Sequence, residues 1–197
     1  NYNFTKNNYP NGNNGTISDA TWNPSGYFDF DGVTDYISIA ATASSPINPS
    51  NNFSVSVWAN PTTLGATRQI VTKYGSSDST RAFTLGVLTD GKVNATTRSG
   101  SSSTNTQTSA GVVTTGGGWY HLVLVKEGSS VKIYVDNTES ASQTLTSTVN
   151  TGGTQPILIG AQGDGTSNEF IGYISKVNMY DKALTQAEVT VLFNEGQ

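Results

Sequence analysis

The sequence has no cysteine, and only 12 % of its 197 residues are charged. Without cysteine the chain cannot form disulfides, thiolate metal sites or a cysteine nucleophile. Its basic residues are few and form no cluster, so the electrostatic footprint of a nucleic-acid-binding protein is missing. No apolar segment approaches the roughly 20 residues that a membrane-spanning helix needs. We therefore expect neither a nucleic-acid partner nor membrane insertion.

Serine, threonine, asparagine and glycine dominate what is present, with 21 glycines and a formal net charge of -4. Such a mixture can indicate disorder, but 10 % aromatic residues and many valines and isoleucines favour a folded chain. The length suits a single β-sandwich domain. Because the chain begins abruptly at Asn1, we interpret residues 1–197 as one domain of a longer polypeptide.

Short apolar segments separated by polar turns predict an all-β sandwich. The clearest strand-like segments are 53–59, 69–73, 82–88, 120–126, 131–135 and 157–159. Within 53–59 the alternation is strict, which places Phe53, Val55, Val57 and Ala59 on one face and Ser54, Ser56 and Trp58 on the other. Hairpin turns are predicted at 127–130 and 89–91.

One helix is predicted, at the C-terminus. Thr185 is a favourable N-cap, Glu188 completes a capping box, and Gly196 ends the helix. The polar segment 98–108 (RSGSSSTNTQT) has no apolar alternation. We expect it to be a mobile loop or a polar sheet edge.

Several motifs occur in the order typical of one family. They are YFDFDGVTDYISI at 27–39, FSVSVWANP at 53–61, GWYHLVLV at 118–125, VKIYVDN at 131–137 and IGYISKVNMYDKAL at 171–184. Together they resemble the laminin-G-like, pentraxin-like branch of the concanavalin A-like lectin/glucanase superfamily. The resemblance implies a two-sheet antiparallel jelly roll with a short C-terminal helix. It indicates fold more than function, because this fold carries lectins, glycosidases and structural modules alike.

Asp29, Asp31 and Asp35 form the densest acidic cluster of the sequence. If Phe28 and Phe30 point into the core, Asp29 and Asp31 face the other side. Carboxylate oxygens are ligands that Ca²⁺ prefers, so Asp31 and Asp35 are candidate metal ligands. The alternative is that these side chains accept hydrogen bonds from backbone amides in a tight turn.

The loop 160–169 concentrates four candidate ligand-binding residues: Gln162, Asp164, Asn168 and Glu169. In pentraxins, the loop before the matching strand carries Ca²⁺ ligands of these types, and the bound ion contacts the ligand. The resemblance therefore implies a Ca²⁺ site that includes Asp164 and Glu169. An ordinary solvated loop is the alternative.

One departure from the family concerns a different metal site. Many relatives have an acidic residue after the G-x-I of the late strand, where it helps bind a structural Ca²⁺. This chain has Ser175 followed by Lys176 at that point. Since an ammonium beside a divalent cation is unfavourable, we expect that site to be lost or altered.

Aromatic side chains are the other candidates, because pyranose faces stack on flat apolar rings. Trp58 faces away from Phe53, Val55 and Val57, which is compatible with an exposed sheet face, and Tyr74 is a second candidate. For each of these rings the alternative is packing in the core. Trp119 begins a strand that looks buried and is expected in the core. His121, the only histidine, is expected to have a structural role.

Catalysis is not expected. Retaining glycosidases need two carboxyl groups about 5 Å apart, and the family's glucanases carry them as closely spaced glutamates on one strand. Here all five glutamates are isolated: Glu127, Glu139, Glu169, Glu188 and Glu195. Only Asp29 and Asp31 share a strand face, and they adjoin a turn.

We therefore predict a non-catalytic extracellular module that binds a glycan or cell-surface carbohydrate, within a larger secreted, surface or virion protein. The alternative is a structural virion module, such as a capsid decoration, fibre or appendage domain, that acts through contacts with other virion or surface proteins. A glycoside hydrolase is the weaker alternative. Neighbouring genes that encode enzymes or virion proteins would separate these classes.

Overall fold

The structure, a computed structural model, describes residues 15–41, 47–163 and 165–197. These residues form two antiparallel sheets of seven strands each and one α-helix. The elements are β1 (Gly15–Ser18), β2 (Thr21–Asn23), β3 (Tyr27–Asp31), β4 (Tyr36–Ile39), β5 (Phe53–Pro61), β6 (Arg68–Tyr74), β7 (Arg81–Val87), β8 (Val93–Ser99), β9 (Ser102–Gln107), β10 (Tyr120–Glu127), β11 (Ser130–Val135), β12 (Thr138–Thr144), β13 (Ile157–Ile159), β14 (Ile171–Tyr180) and α1 (Gln186–Asn194).

The first sheet has the strand order β1-β4-β13-β6-β7-β8-β9, and the second has the order β12-β11-β10-β5-β14-β3-β2. Their inner faces enclose the main hydrophobic core. The predicted two-sheet antiparallel sandwich with a short C-terminal helix is therefore confirmed. All six predicted strand segments are strands, with ends that differ by at most two residues.

Strict alternation along β5 positions both the core and the outer surface of the second sheet. Phe53, Val55 and Val57 are fully buried between the sheets. Along β3, Phe28 and Phe30 are buried while Asp29 and Asp31 are exposed, as the alternation predicts.

Helix α1 covers part of the outer face of the second sheet. Val189 of the helix and Leu184 before it pack against Val123 and Val125 of β10 in a smaller apolar cluster. The predicted capping box is present, because Thr185 and Glu188 each accept a hydrogen bond from the other's backbone N–H. The helix has nine residues. Within the described ranges, no helix has the length and apolar character of a membrane span.

The end of this helix contacts the residue that departs from the family pattern. The Lys176 ammonium donates hydrogen bonds to the backbone carbonyls of Glu195, at 3.2 Å, and Gly196, at 2.8 Å. A cation beside the last carbonyls of a helix also interacts favourably with the helix dipole. Ser175 Oγ donates to the Gly26 carbonyl at 2.7 Å. Both side chains therefore hold neighbouring segments in place.

The polar segment 98–108 is part of the first sheet, so the expectation of a mobile loop is wrong and that of a polar edge is confirmed. β9 pairs with β8 from Asn94↔Gln107 to Ser99↔Ser102 and is the last strand of the sheet. Side-chain bonds such as Thr96 Oγ1 to Asn105 Oδ1, at 2.8 Å, add to the backbone ladder. An edge strand with little apolar content gives no alternation signal in the sequence.

Candidate functional site

An open cleft lies beyond the ends of β6 and β7, where three connecting segments meet. The segments are 75–80, 145–156 and 160–170, and the cleft has a volume of about 340 Å³. It is lined by Tyr74, Gly75, Ser76, Arg81, Gln155, Gln162, Gly163 and Ser167. The structure therefore brings together two of the predicted ligand-binding residues, Tyr74 and Gln162.

Arg81 organises one wall of this cleft. It lies opposite Tyr74 in the β6–β7 pair, and its guanidinium carbon is 5.1 Å from the centre of the Tyr74 ring. The guanidinium also donates to the carbonyls of Gly75, at 3.1 Å, and Ser76, at 2.9 Å. These bonds fix the 75–80 turn and hold a cation against an aromatic face.

Positive side chains outnumber negative ones next to this wall. Asp78 accepts hydrogen bonds from both Arg81, at 3.2 Å, and Arg98, at 2.7 Å, so one carboxylate serves two guanidinium groups. Behind the wall, the Lys73 ammonium is buried and donates to the Gln155 carbonyl at 2.6 Å. Burial lowers the pKa of Lys73. Among the described residues, Lys73 has no carboxylate partner, and the local charge is positive.

The opposite wall is the loop that follows β13. The Gln162 N–H donates to the Ser167 carbonyl at 2.9 Å, which closes the loop as a narrow hairpin. Asn168 Nδ2 donates to Gln162 Oε1 at 2.9 Å. The Asn168 side chain thus orients the Gln162 amide, whose N–H groups have no partner among the described residues. Asn168 itself is exposed but is not part of the cleft lining.

The other two predicted loop residues are Asp164 and Glu169. Asp164 lies outside the described residues. Glu169 is partly buried, its backbone carbonyl accepts a hydrogen bond from Arg68 Nη1 at 2.9 Å, and it does not line the cleft. In the described ranges, no three His, Cys, Asp or Glu side chains are grouped to hold a metal ion. The calcium role of Asp164 and Glu169 stays a prediction.

Asp31 and Asp35 form hydrogen bonds within their own turn. Asp35 Oδ2 accepts from the Asp31 N–H at 2.7 Å, and Asp31 Oδ1 accepts from the Val33 N–H at 2.8 Å. Burial raises the pKa of Asp35, and the neighbouring charges of Asp31, Asp19 and Asp29 add to the rise against the opposing effect of the backbone hydrogen bond. These contacts are the turn chemistry given as the alternative to a metal site, and the metal role of the pair stays a prediction.

Trp58 lies on the outer face of the second sheet, as alternation predicts, but it is only partly exposed because Phe193 of α1 stacks on it. Its ring stacks on Phe193 of the helix, with centroids 5.8 Å apart, and on His121, at 5.1 Å. Trp58 and His121 are thus part of the helix–sheet interface. As a ligand-binding residue Trp58 stays a prediction, but two neighbouring rings already contact it.

His121 is fully buried beneath the helix. Its Nε2 lies 2.8 Å from Ser56 Oγ, and its Nδ1 has no partner in the described part of the chain. Burial lowers the pKa of His121 to about 4. The imidazole is therefore neutral at physiological pH and has the packing role expected of it.

Six of the eight residues that line the cleft were not predicted as ligand-binding residues from the sequence: Gly75, Ser76, Arg81, Gln155, Gly163 and Ser167. Arg81 could have been found, because a hairpin between 69–73 and 82–88 places the residues that flank the turn side by side. Ser167 lies in the loop 160–169 that the sequence singles out, whereas Gln155 lies in the segment 145–156, whose course depends on packing against Lys73. The sequence carries no signal of that packing.

The sequence matches a known protein family over most of its length. A family model described as Concanavalin A-like lectin/glucanases superfamily (Laminin_G_3) matches residues 31–190. The chain belongs to this superfamily. No curated protein matches the sequence.

Solved structures with the same fold include receptor-binding domains of botulinum neurotoxins. The domain of the C/D mosaic serotype has a TM-score of 0.74 at 14 % identity, over 98 % of this chain and 50 % of that one. The serotype D ligand-binding domain in complex with N-acetylneuraminic acid has 0.72 at 15 %, over 98 % and 50 %. The type G domain has 0.69 at 15 %, over 93 % and 47 %. The chain thus spans about half the length of these structures, and at such identity the similarity shows the fold alone.

Proposed function

We propose that this protein is a non-catalytic carbohydrate-binding module whose glycan occupies the cleft between Tyr74 and Gln162. The observation that carries the proposal is the composition of the lining, which combines one aromatic ring and one guanidinium with amides and hydroxyls. Binding sites for small polar ligands typically combine apolar surface with a few convergent hydrogen-bonding groups.

The hydrogen-bonding groups of the cleft match those of a sugar. A glycan hydroxyl both donates and accepts, and the side-chain amides of Gln155 and Gln162 offer both functions as well. The hydroxyls of Ser76 and Ser167 add two more such groups at the rim. The Tyr74 ring supplies the apolar surface on which the C–H face of a pyranose can pack.

The charge of the cleft favours an acidic sugar. Arg81 is the only charged side chain among its described lining residues, and the buried Lys73 ammonium donates to the backbone carbonyl of Gln155, another lining residue. A sugar carboxylate placed near Arg81 would form a charge-assisted hydrogen bond, which is stronger than a neutral one. One domain of the same fold was solved in complex with N-acetylneuraminic acid, a carboxylate-bearing sugar, which makes that sugar the first one to test.

Absence of catalysis is part of the proposal, because the superfamily also includes glucanases. Glu139 accepts from Lys132 Nζ at 2.9 Å and from the Tyr134 hydroxyl, while Glu188 bonds to Lys182 and caps α1. Neither lies in the cleft. In the described lining there is no carboxylate at all, whereas a retaining glycosidase needs two.

We further propose that the module acts outside the cell, on a glycan of a cell surface, as part of a larger secreted, surface or virion protein. Ca²⁺ bound near Asp164 and Glu169 would add a cation to the same loop and would strengthen the attraction for acidic sugars. No described contact favours the alternative of a purely structural virion module. That alternative is an outcome of the experiment below.

The experiment is a glycan array followed by calorimetry with 3′-sialyllactose and lactose. We expect sialylated glycans to bind and lactose to bind at least about tenfold more weakly, a difference of about 1.4 kcal/mol. Gln162→Ala and Tyr74→Ala should abolish detectable binding. Gln143→Ala is the matched control, because Gln143 is an exposed glutamine of β12 at the far edge of the other sheet.

Two results would contradict the proposal. Sialoglycan binding that survives both cleft variants would place the site elsewhere. A complete lack of array binding, together with self-association in sedimentation, would support the structural alternative.

A further inference from the structure

Three aromatic side chains meet on the outer face of the second sheet, away from the cleft. Tyr27 of β3, Tyr173 of β14 and Trp119 before β10 have ring centroids 4.9 Å (Tyr27–Tyr173), 5.6 Å (Tyr27–Trp119) and 6.4 Å (Trp119–Tyr173) apart. We call these three residues the aromatic platform. All three are only partly buried, so their rings remain accessible to solvent. The expectation that Trp119 lies in the core is therefore wrong.

The alternation of the strands explains why the platform faces outward. Phe28 and Ile174 point into the core, so their neighbours Tyr27 and Tyr173 point away from it. Helix α1 covers a different part of this face, since its Phe193 stacks on Trp58 and His121 rather than on the platform.

Unused hydrogen-bonding groups surround the rings. In the register of the sheet, Tyr173 lies between Asp29 of β3 and Asn60 of β5, and alternation puts all three on the outer face. Asp29 is exposed and Asn60 is partly buried. Within the described part of the chain, the Asp29 carboxylate, the Asn60 amide and the two platform phenols make no hydrogen bond. These groups are therefore free to exchange hydrogen bonds with a ligand that packs on the rings.

We propose that the aromatic platform, with Asp29 and Asn60, is a second carbohydrate site that takes a neutral pyranose. The C–H face of the sugar packs on the rings, and its hydroxyls donate to Asp29 and exchange hydrogen bonds with Asn60. The negative charge beside the rings favours a neutral sugar over an acidic one. Asp29 lies directly beside Tyr173, and Asp31 follows it on the same exposed face of β3, so the charge next to the rings is negative. An acidic sugar is repelled here, which is the opposite of the preference expected in the cleft.

The test uses three neutral probes, laminarihexaose, cellohexaose and mannohexaose, with quenching of tryptophan fluorescence and calorimetry as readouts. We expect at least one to bind, and 3′-sialyllactose not to compete for it. Trp119→Ala and Tyr173→Ala should each weaken binding by about tenfold or more. Trp119→Phe and Tyr173→Phe keep an aromatic ring and should retain most of the sugar binding. If they do, the weaker binding of the alanine variants is due to lost ring contacts and not to misfolding.

Two matched controls accompany these variants. Trp22→Phe alters a tryptophan of the same sheet that packs against Phe28 instead of the platform, and it should leave binding unchanged. Gln143→Ala, which alters an exposed glutamine of β12, should also leave it unchanged. The proposal is overturned if none of the three hexasaccharides binds at millimolar concentration, or if binding survives both alanine variants. If the wild type self-associates and Tyr173→Ala does not, the platform binds a second copy of the chain. This result would also overturn the proposal.

Discussion

Acid should weaken the packing of α1 on the sheet through His121. The imidazole is buried between Ser56, Trp58 and Phe193, where its charged form is strongly disfavoured. Its pKa falls from 6.5 to about 4 in the fold. Between these two values the unfolded chain binds a proton that the folded chain does not, so the free energy of unfolding decreases as the pH falls.

The size of the effect follows from that difference in pKa. Each tenfold change in proton affinity corresponds to about 1.36 kcal/mol. Protonation of His121 therefore removes about 3 kcal/mol of stability. The contribution is fully present above pH 6.5 and is lost by about pH 4.

Carboxylates also make the free energy of unfolding depend on pH. Their effects fall in a different pH range from that of His121 or have the opposite sign. The pKa of Glu188 is lowered to about 2 by its hydrogen bond with Lys182, so its contribution is lost mainly below pH 4.5. The pKa of Asp35 is raised in the fold, so its protonation favours the folded state as the pH falls. A comparison with a variant that lacks the histidine isolates the effect of His121.

The assay is urea unfolding at pH 7.5, 5.5 and 4.5 for the wild type and for the double variant Ser56→Ala/His121→Phe. Both residues are changed because His121→Phe alone leaves the buried Ser56 hydroxyl without a partner, which costs stability at every pH. We expect the wild type to lose about 2 kcal/mol more than the variant between pH 7.5 and 4.5. Equal losses in the two proteins would refute the argument.

Three further outcomes are expected. Thr185→Ala removes the N-cap of α1 and should lower the free energy of unfolding by about 1 kcal/mol, as measured by urea denaturation; an unchanged value would mean that the cap contributes nothing here. The calcium hypothesis predicts that Ca²⁺ at 100 times its dissociation constant stabilises the fold by about 2.7 kcal/mol, and that Asp164→Ala removes most of the rise in Tm while Ser175→Ala does not. A Tm that is the same in millimolar Ca²⁺ and in EDTA contradicts it. Incubation with laminarin or agarose should release no reducing sugar, and an activity abolished by Asp29→Asn or Asp31→Asn would overturn the non-catalytic assignment.

The fold could be predicted because its strands and helix are marked by patterns of residues that are close together in the sequence. Alternation in 53–59 separates a core face from an outer face, and the capping box at Thr185 and Glu188 marks the start of the only predicted helix. The family resemblance then ordered these elements into a sandwich. The edge strand β9 was only partly foreseen, since its pairing with β8 depends on backbone hydrogen bonds and not on apolar side chains.

The candidate site was less accessible from the sequence, because its residues are distant along the chain. Alternation placed Trp58 on the outer face correctly but gave no information on what covers that face. The contact with Phe193 depends on where α1 packs. Gln155 enters the cleft through the hydrogen bond from Lys73 to its backbone carbonyl, an interaction that any residue type could accept.

The most direct test of the central claim is an NMR titration of the isotope-labelled protein with 3′-sialyllactose. If the cleft binds the glycan, the largest shifts should fall on the backbone amides of Gly75, Gln155, Gln162 and Ser167 and on the Arg81 side chain. The same amides should not shift in Gln162→Ala. Glycan binding in the cleft is contradicted if no amide shifts at millimolar sugar, or if the shifts cluster away from this cleft.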